Sequence, residues 1–136
     1  MGIRRKAREL ALQLLFQTEY NPGQGDLPGT FWRSHEAAPP VREFSTLLVK
    51  GVIEHLVEID RLIEKNAENW TPERMSTVDR NILRIAIFEL CYLKDIPVRV
   101  SINEAIEVAK RFGNEGSGAF VNGILDRIFK EVIEKK

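Results

Sequence analysis

The sequence of 136 residues has one cysteine, two histidines and no net charge. A single cysteine cannot form a disulfide within the chain, which excludes a disulfide-stabilised fold. His35 and His55 are not part of any cluster with metal-ligand spacing, so no metal is expected. No apolar run approaches the roughly 18 residues that cross a bilayer, and the charged start lacks a secretory segment. We therefore expect a cytoplasmic protein without a membrane contact.

Zero net charge also means that the whole chain does not attract nucleic acid, so any anion site must be local. One local cluster exists near the start, where Arg4, Arg5, Lys6 and Arg8 precede the first acid, Glu9. Arginine side chains match phosphate oxygens and stack on bases, but such a cluster can also be a solvated helix end. Because cations at a helix N-terminus oppose the helix dipole, the cluster does not favour the helix itself. The residues alone leave both interpretations open.

Apolar residues recur every three or four positions along most of the chain, which predicts helices. We predict helices over residues 3–20, 41–68, 77–93, about 100–113 and about 115–134. Ser76 with Asp79 and Ser101 with Glu104 have the spacing of capping boxes, and Gly113 is placed for a left-handed stop. The segment 77–93 is apolar on almost every side, which is typical of a helix surrounded by others.

The remaining segments do not change this assignment. No stretch alternates apolar and polar residues as a strand would. In the last helix, we expect Gly123 to allow a neighbouring helix to approach closely. Residues 21–40 are irregular, with one short helix predicted between Thr30 and Ala38. We predict a single all-α domain over residues 1–136, a bundle of about seven helices.

Three further side chains are candidates for binding. Leu12 and Phe16 form an apolar pair outside the main stripe of the first helix, which indicates a protein contact. Phe120 lies beside a glycine-rich turn and could stack on a base, although a flanking core position is the simpler interpretation. No set of residues assembles a catalytic site, so the sequence favours a binding protein over an enzyme, with no cofactor.

Three blocks of sequence form a recognisable set. The first is R-R-K-A-R-E, from Arg4 to Glu9. The second is V-D-R-N-I-L-R-I-A-I-F-E-L, from Val78 to Leu90. The third pairs I-N-E-A-I-E-V-A-K-R-F-G, ending at Gly113, with F-V-N-G-I-L-D, which begins at Phe120. Together they resemble the NusB family of bacterial transcription antitermination factors.

This resemblance implies a fold and a function. The fold would be an all-helical bundle of two packed three-helix-type subdomains. The function would be to bind the single-stranded boxA element of nascent ribosomal RNA together with NusE, a small-subunit ribosomal protein, and to join RNA polymerase. Whether the free protein forms a homodimer stays open. The alternative is a helical protein–protein interaction module without physiological RNA binding.

The resemblance also assigns roles to residues. It places Arg4, Arg5, Arg8 and Phe120 at the RNA, with Lys6 in the same run, and it places Phe16 and Asp79 opposite NusE. Leu12 joins this partner surface through its pairing with Phe16. One departure concerns Gly118 and Ala119, which stand where family members often carry a basic residue.

Overall fold

A computed structural model describes residues 2–21, 23, 25, 27–68 and 70–134, and the rest of the predicted domain lies outside the described residues. Over these ranges the chain forms seven α-helices and no strand, which confirms the predicted class. They are α1 (Ile3–Tyr20), α2 (Leu27–Ser34), α3 (Pro39–Glu54), α4 (Leu56–Asn66), α5 (Thr77–Tyr92), α6 (Val98–Phe112) and α7 (Ser117–Ile128). A short 3-10 turn, Pro72–Arg74, precedes α5, and a π-helical stretch, Phe129–Glu134, continues α7. Within the described ranges, no helix is both long and apolar enough to span a bilayer.

Helix α5 is the centre of the bundle, as its sequence predicts. Its ten consecutive residues from 81 to 90 are all buried, and it packs against α1, α3, α4, α6 and α7. The start of the helix is fixed by Ser76, whose hydroxyl accepts a hydrogen bond from the Asp79 N–H at 3.1 Å. A helix covered on every side is apolar over most of its surface, which is the pattern seen in the sequence. The buried polar residues of this run, Asn81, Arg84 and Glu89, each have a hydrogen-bond partner.

The other helices form two groups around α5. Helices α2 and α3 pack on α1, whereas α6 and α7 pack on each other and on α5. Helix α4 lies against both α5 and α7. The groups are joined by polar contacts, including the buried Glu9 of α1, which accepts from Arg111 Nη1 of α6 at 2.8 Å.

The predicted long helix over residues 41–68 is wrong, because the chain breaks at His55 into α3 and α4. His55 leaves helical geometry with φ −112° and ψ 20°. Its ring stacks on Tyr92 of α5 with centroids 3.9 Å apart. Apolar residues continue on both sides of the break, so periodicity could not reveal it. The break separates α3, which packs on α1 and α5, from α4, which packs on α5 and α7.

Two predicted capping features of α6 are wrong, although the predicted end of this helix at Gly113 is confirmed. Helix α6 begins at Val98, directly after Pro97, so Ser101 lies inside the helix and does not cap it. Proline suits the start of a helix because its missing N–H needs no partner there. Gly113 ends α6 in an extended conformation, with φ −91° and ψ −167°, and is not left-handed.

A glycine in α3, not the predicted Gly123, allows close helix approach. A Cβ atom on Gly51 would lie 2.0 Å from Phe88 Cζ of α5, well inside van der Waals contact. A Cβ atom on Gly123 would meet nothing within 4 Å. The packing of α3 on α5 therefore depends on the absence of a side chain at residue 51.

We expect Gly51→Ala to lower the free energy of unfolding by about 1–3 kcal/mol, because the added methyl group must displace the packed Phe88 ring. Gly123→Ala is the matched control and should raise it by roughly 0.5–1 kcal/mol, since alanine restricts the unfolded chain. Urea unfolding of both variants measures these changes. Equal effects of the two substitutions would contradict the assigned packing.

Candidate nucleic-acid and protein interface

The basic residues near the chain start occupy the first two turns of α1 and differ in exposure. Arg4 and Lys6 are exposed, Arg5 is partly exposed, and Arg8 is buried. The Arg4 guanidinium lies over the Phe44 ring, 4.8 Å from its centroid. An arginine stacked in this way keeps its N–H groups available at the edge of the plane. Three cations therefore face solvent at the start of α1.

The structure corrects the expectation that Arg8 contacts RNA directly. Its Nε and Nη2 atoms donate to the carboxylate of Glu89 at 2.8 and 2.7 Å, and the Ser101 hydroxyl donates to the same carboxylate at 2.8 Å. Glu89 is 1% exposed, and a buried carboxylate needs a buried cation. Arg8 supplies that cation, so its guanidinium is turned into the molecule.

Arg5 is held by a second carboxylate, that of Glu104 on α6. Its Nε and Nη2 atoms donate to the two Glu104 oxygens, with Nε at 3.0 Å. This bidentate hydrogen bonding from Arg5 holds the pKa of Glu104 below its usual value of 4.5, although burial opposes the shift. The same hydrogen bonds raise the pKa of Arg5. Glu104 therefore fixes the direction of Arg5 and is not the capping residue predicted from its spacing.

An open cleft lies beside these cations. It is lined by the start of α1, by the chain that leads into α6 and by the first two turns of α6. The lining residues are Gly2, Arg4, Arg5, Arg8, Asp95, Ile96, Pro97, Val100 and Glu104. The arginines of this lining suit phosphate oxygens, and its apolar residues suit the sugar or base. The lining also contains the carboxylates of Asp95 and Glu104, of which Glu104 is paired with Arg5. The cleft offers a place for a nucleotide chain next to α1.

Phe120 lies in the first turn of α7, partly buried against the core. Its ring meets the exposed Trp70 ring edge to face, with centroids 6.0 Å apart. The two rings line a second cleft, whose lining also includes Asp79 and Met75. Phe120 is thus both a core contact and one wall of a surface cleft.

The glycine-rich turn before Phe120 is ordered by its own hydrogen bonds. Asn114 Oδ1 accepts from the Gly116 N–H at 3.0 Å and from the Ser117 hydroxyl at 3.2 Å. Lys110 of α6 extends over Gly118, with its Cγ atom 3.5 Å from where a Cβ would lie. A lysine from α6 therefore lies near Gly118 and Ala119, the positions where family members often carry a basic residue.

The residues expected to face a protein partner occupy different environments. Leu12 is 3% exposed and belongs to the core, so its predicted partner contact is wrong. The apolar stripe of α1 is wider than expected because α2, α3, α5 and α6 all pack against this helix. Phe16 is 37% exposed and packs on the exposed Tyr20 with ring centroids 4.6 Å apart. Asp79 is buried in the cleft beside Phe120.

Sequence reasoning missed Trp70 and Lys110 as members of this face. A tryptophan just before the Thr71-Pro72 turn was a usable signal, because a large aromatic outside every predicted stripe has no core to join. The position of Lys110 over Gly118 depends on how α6 and α7 pack, which no local pattern contains. Within the described ranges, no group of three or more histidine, cysteine, aspartate or glutamate side chains could hold a metal ion.

The fold and this face define an all-helical binding protein with clustered cations and exposed aromatic rings. Comparison with known families matches residues 5–130 to the NusB family. The transcription antitermination protein NusB of Myxococcus xanthus is 50% identical over 133 residues, which cover 94% of this chain and 95% of the relative. That of Geobacter sulfurreducens is 48% identical over 137 residues and covers 99% of each chain. The chain belongs to the NusB family of transcription antitermination proteins, which are not enzymes.

Solved structures agree with this assignment. NusB of T. maritima matches with a TM-score of 0.84 and 45% identity, over 94% of this chain and 91% of the other. A crystal structure of the antitermination factors NusB and NusE in complex with dsRNA matches with a TM-score of 0.84 and 29% identity, over 96% of this chain and 98% of the other.

We expect Arg8→Met to lower the free energy of unfolding by roughly 3–5 kcal/mol, because it leaves the buried Glu89 carboxylate without its cation. Glu89→Leu should lower it by less, because Arg8 keeps a second ion pair with Glu104 at 3.4 Å. The double variant should be more stable than either single variant, since it buries no charge. Arg5→Met is the control on a partly exposed pair and should change stability by less than about 1 kcal/mol. Urea unfolding of the four variants tests this, and additive losses in the double variant would contradict it.

Proposed function

We propose that this protein binds single-stranded boxA-type RNA of nascent ribosomal transcripts, together with NusE, as a non-catalytic adaptor for an RNA polymerase antitermination complex. The observation that carries the proposal is the group of solvent-facing cations Arg4, Arg5 and Lys6 beside an open cleft. A protein that acts on nascent transcripts in bacteria works in the cytoplasm, which is the location we assign to it.

The energetics of α1 support a ligand at this end. Its first turn contains no acidic residue, so no carboxylate of α1 itself offsets the repulsion between these cations and the helix dipole. Glu104 of α6 offsets only the charge of Arg5. A phosphate chain would relieve this repulsion and release its counterions. Glu104 does not abolish the site, because its two oxygens engage one side of the Arg5 guanidinium and an arginine has five N–H donors.

We assign the protein-partner surface to the outer end of α1. Phe16 and Tyr20 form an exposed aromatic pair, and exposed aromatic rings are typical centres of protein interfaces. The solved relative that contains NusB and NusE with dsRNA supports NusE as the partner. Asp79 at the start of α5 would complete this surface, and homodimerisation through the same rings would compete with NusE.

The RNA prediction uses the double variant Arg4→Ala/Arg5→Ala and a boxA RNA. We expect weaker binding and a plot of log affinity against log salt whose slope is shallower by about 1.4, because each phosphate contact contributes roughly 0.7 for single strands. Lys50→Ala/Arg61→Ala removes the same charge from exposed positions on α3 and α4 and should leave the slope unchanged. Equal slopes for all three proteins would refute the proposed RNA site.

The partner prediction concerns Phe16→Ala. We expect about tenfold or greater loss of NusE affinity by calorimetry, as for a central aromatic contact, while binding of RNA alone is retained. Ile53→Ala on α3, also an exposed apolar side chain, is the control and should have no effect. If NusE binding fails in the variant but the unmodified protein has no RNA affinity at physiological salt, the chain is a protein-interaction module only.

A further inference from the structure

The cleft beside the start of α1 has room for one nucleotide. Its volume is about 520 Å³, within the range of roughly 300–1,000 Å³ that is typical of sites for small organic ligands. Its lining comes from two parts of the chain that are distant in sequence, namely the start of α1 and the segment from Asp95 to Glu104. Because the cleft is open to solvent, a single strand of nucleic acid can reach these side chains.

Two charged side chains of this cleft have no partner of opposite charge within the part of the chain that the structure describes. Arg5 and Arg8 are each held by a carboxylate. In the same described part, Arg4 pairs with no acidic group and no donor meets the carboxylate of Asp95. Since Arg4 and Asp95 line one cleft but form no ion pair there, a ligand with an anionic group and a neutral donor group can contact both.

Asp95 does not serve the helix that follows it. Pro97 is the N-cap of α6, and the start of this helix has no side-chain cap hydrogen bond. The Asp95 side chain is exposed, so its charge needs no partner for folding. A carboxylate in an RNA-binding cleft repels phosphate groups, whereas the bases are neutral and carry N–H donors. Asp95 therefore suits bound RNA where it accepts hydrogen bonds from a base.

We propose that this cleft holds one guanosine of the bound RNA, with its phosphate on Arg4, its base against Val100, and its N1–H and N2–H groups donating to the Asp95 carboxylate. This guanosine site rests on the RNA-binding function proposed above and adds Asp95 as the residue that selects the base. Guanine alone has two adjacent donors on its Watson–Crick edge, and they match the two oxygens of a carboxylate. Adenine and cytosine place a ring acceptor beside their amino group, and uracil places a carbonyl oxygen on each side of its N–H.

The remaining lining suits the flat face of a base. Val100 is 44% exposed and Pro97 is exposed, although both side chains are apolar. A base that covers them removes apolar surface from water. A basic side chain of a partner protein would also pair with Asp95, but Arg4 in the same cleft would repel it. The same arginine attracts a phosphate, so the charges favour a nucleotide.

Base identity is tested with two oligouridylates of equal length, one with a single guanosine and one with a single inosine, which lacks the N2 amino group. The unmodified protein should bind the guanosine RNA about tenfold or more tightly, as expected for one hydrogen bond to a charged acceptor. Asp95→Ala should reduce this ratio towards one, because alanine offers no acceptor. Glu64→Ala removes the same charge from an exposed position on α4 and should keep the ratio. A ratio of one in the unmodified protein, or an unchanged ratio in Asp95→Ala, would overturn the guanosine site.

Oligouridylate without a guanosine separates this site from general RNA binding. Asp95→Ala should bind it at least as tightly as the unmodified protein does, because a charge that repels phosphate is removed. Arg4→Ala/Arg5→Ala should bind it more weakly. If the arginine variant is weaker while the unmodified protein does not distinguish guanosine from inosine, the RNA-binding function stands and the guanosine site falls. If the unmodified protein binds none of these RNAs, both fall.

Two further measurements distinguish RNA from other occupants of the cleft. We expect 5′-GMP to bind at least about tenfold more weakly than the guanosine RNA, because a mononucleotide lacks the neighbouring phosphates that the other cations of α1 attract. Equal affinities would make the cleft a site for a free nucleotide. We also expect Asp95→Ala to keep its NusE affinity in calorimetry. A loss of NusE affinity with an unchanged guanosine preference would make the cleft a protein site, and either result would overturn the assignment to RNA.

Discussion

The arrangement of the first helix depends on the Glu89 carboxylate. It lies in the middle of α5, is almost completely buried, and accepts hydrogen bonds from Arg8 of α1 and Ser101 of α6. Because a buried charge without its partner is strongly destabilising, neither α1 nor α6 can shift along α5 without breaking this cluster. Arg4 and Arg5, one turn earlier, take their positions from it. Arg8 faces inward and fixes the position of α1, and this fixes where Arg4 and Arg5 face solvent.

The other end of α1 is fixed in a similar way. Glu19 accepts from both Arg80 and Arg84, and Arg84 also pairs with Asp60 of α4. Burial disfavours the ionised form of Glu19, but the hydrogen bonds from the two arginines outweigh it and lower its pKa. Helix α1 is thus a rigid element held at both ends. The proposed RNA and protein surfaces, near Arg4 and Phe16, are separated by roughly 18 Å along this axis at 1.5 Å per residue. One helix can therefore contact both ligands at once, which is the geometry that an adaptor requires.

Much of this was predictable from local pattern. The bounds of α1 and α5 follow from apolar periodicity, and Ser76 was correctly identified as a cap because that interaction is local. The errors share one cause, which is that a stripe of residues does not specify what packs against it. Arg5 and Arg8 lie on the same side of α1. Arg8 is buried because it pairs with the buried Glu89, whereas Arg5 is partly exposed because it pairs with Glu104, which is closer to the surface. Leu12 was misplaced because four helices, α2, α3, α5 and α6, pack on α1. The break at His55 lies where its ring stacks on Tyr92, a contact distant in sequence. Family resemblance assigned the cationic cluster to RNA, but it did not reveal which of its members is structural.

The partners of α1 are far away in sequence, and this has a consequence for biosynthesis. Arg8 meets Glu89 across 81 positions, and Glu9 meets Arg111 across 102. At the usual rate of about 5–20 residues per second, the first helix leaves the ribosome roughly 5–20 s before α6 is complete. During that interval its inward-facing charges have only water as a partner. Such long-range contacts must wait for the chain that supplies them, so the end of the protein that is made first is among the last to reach its final structure.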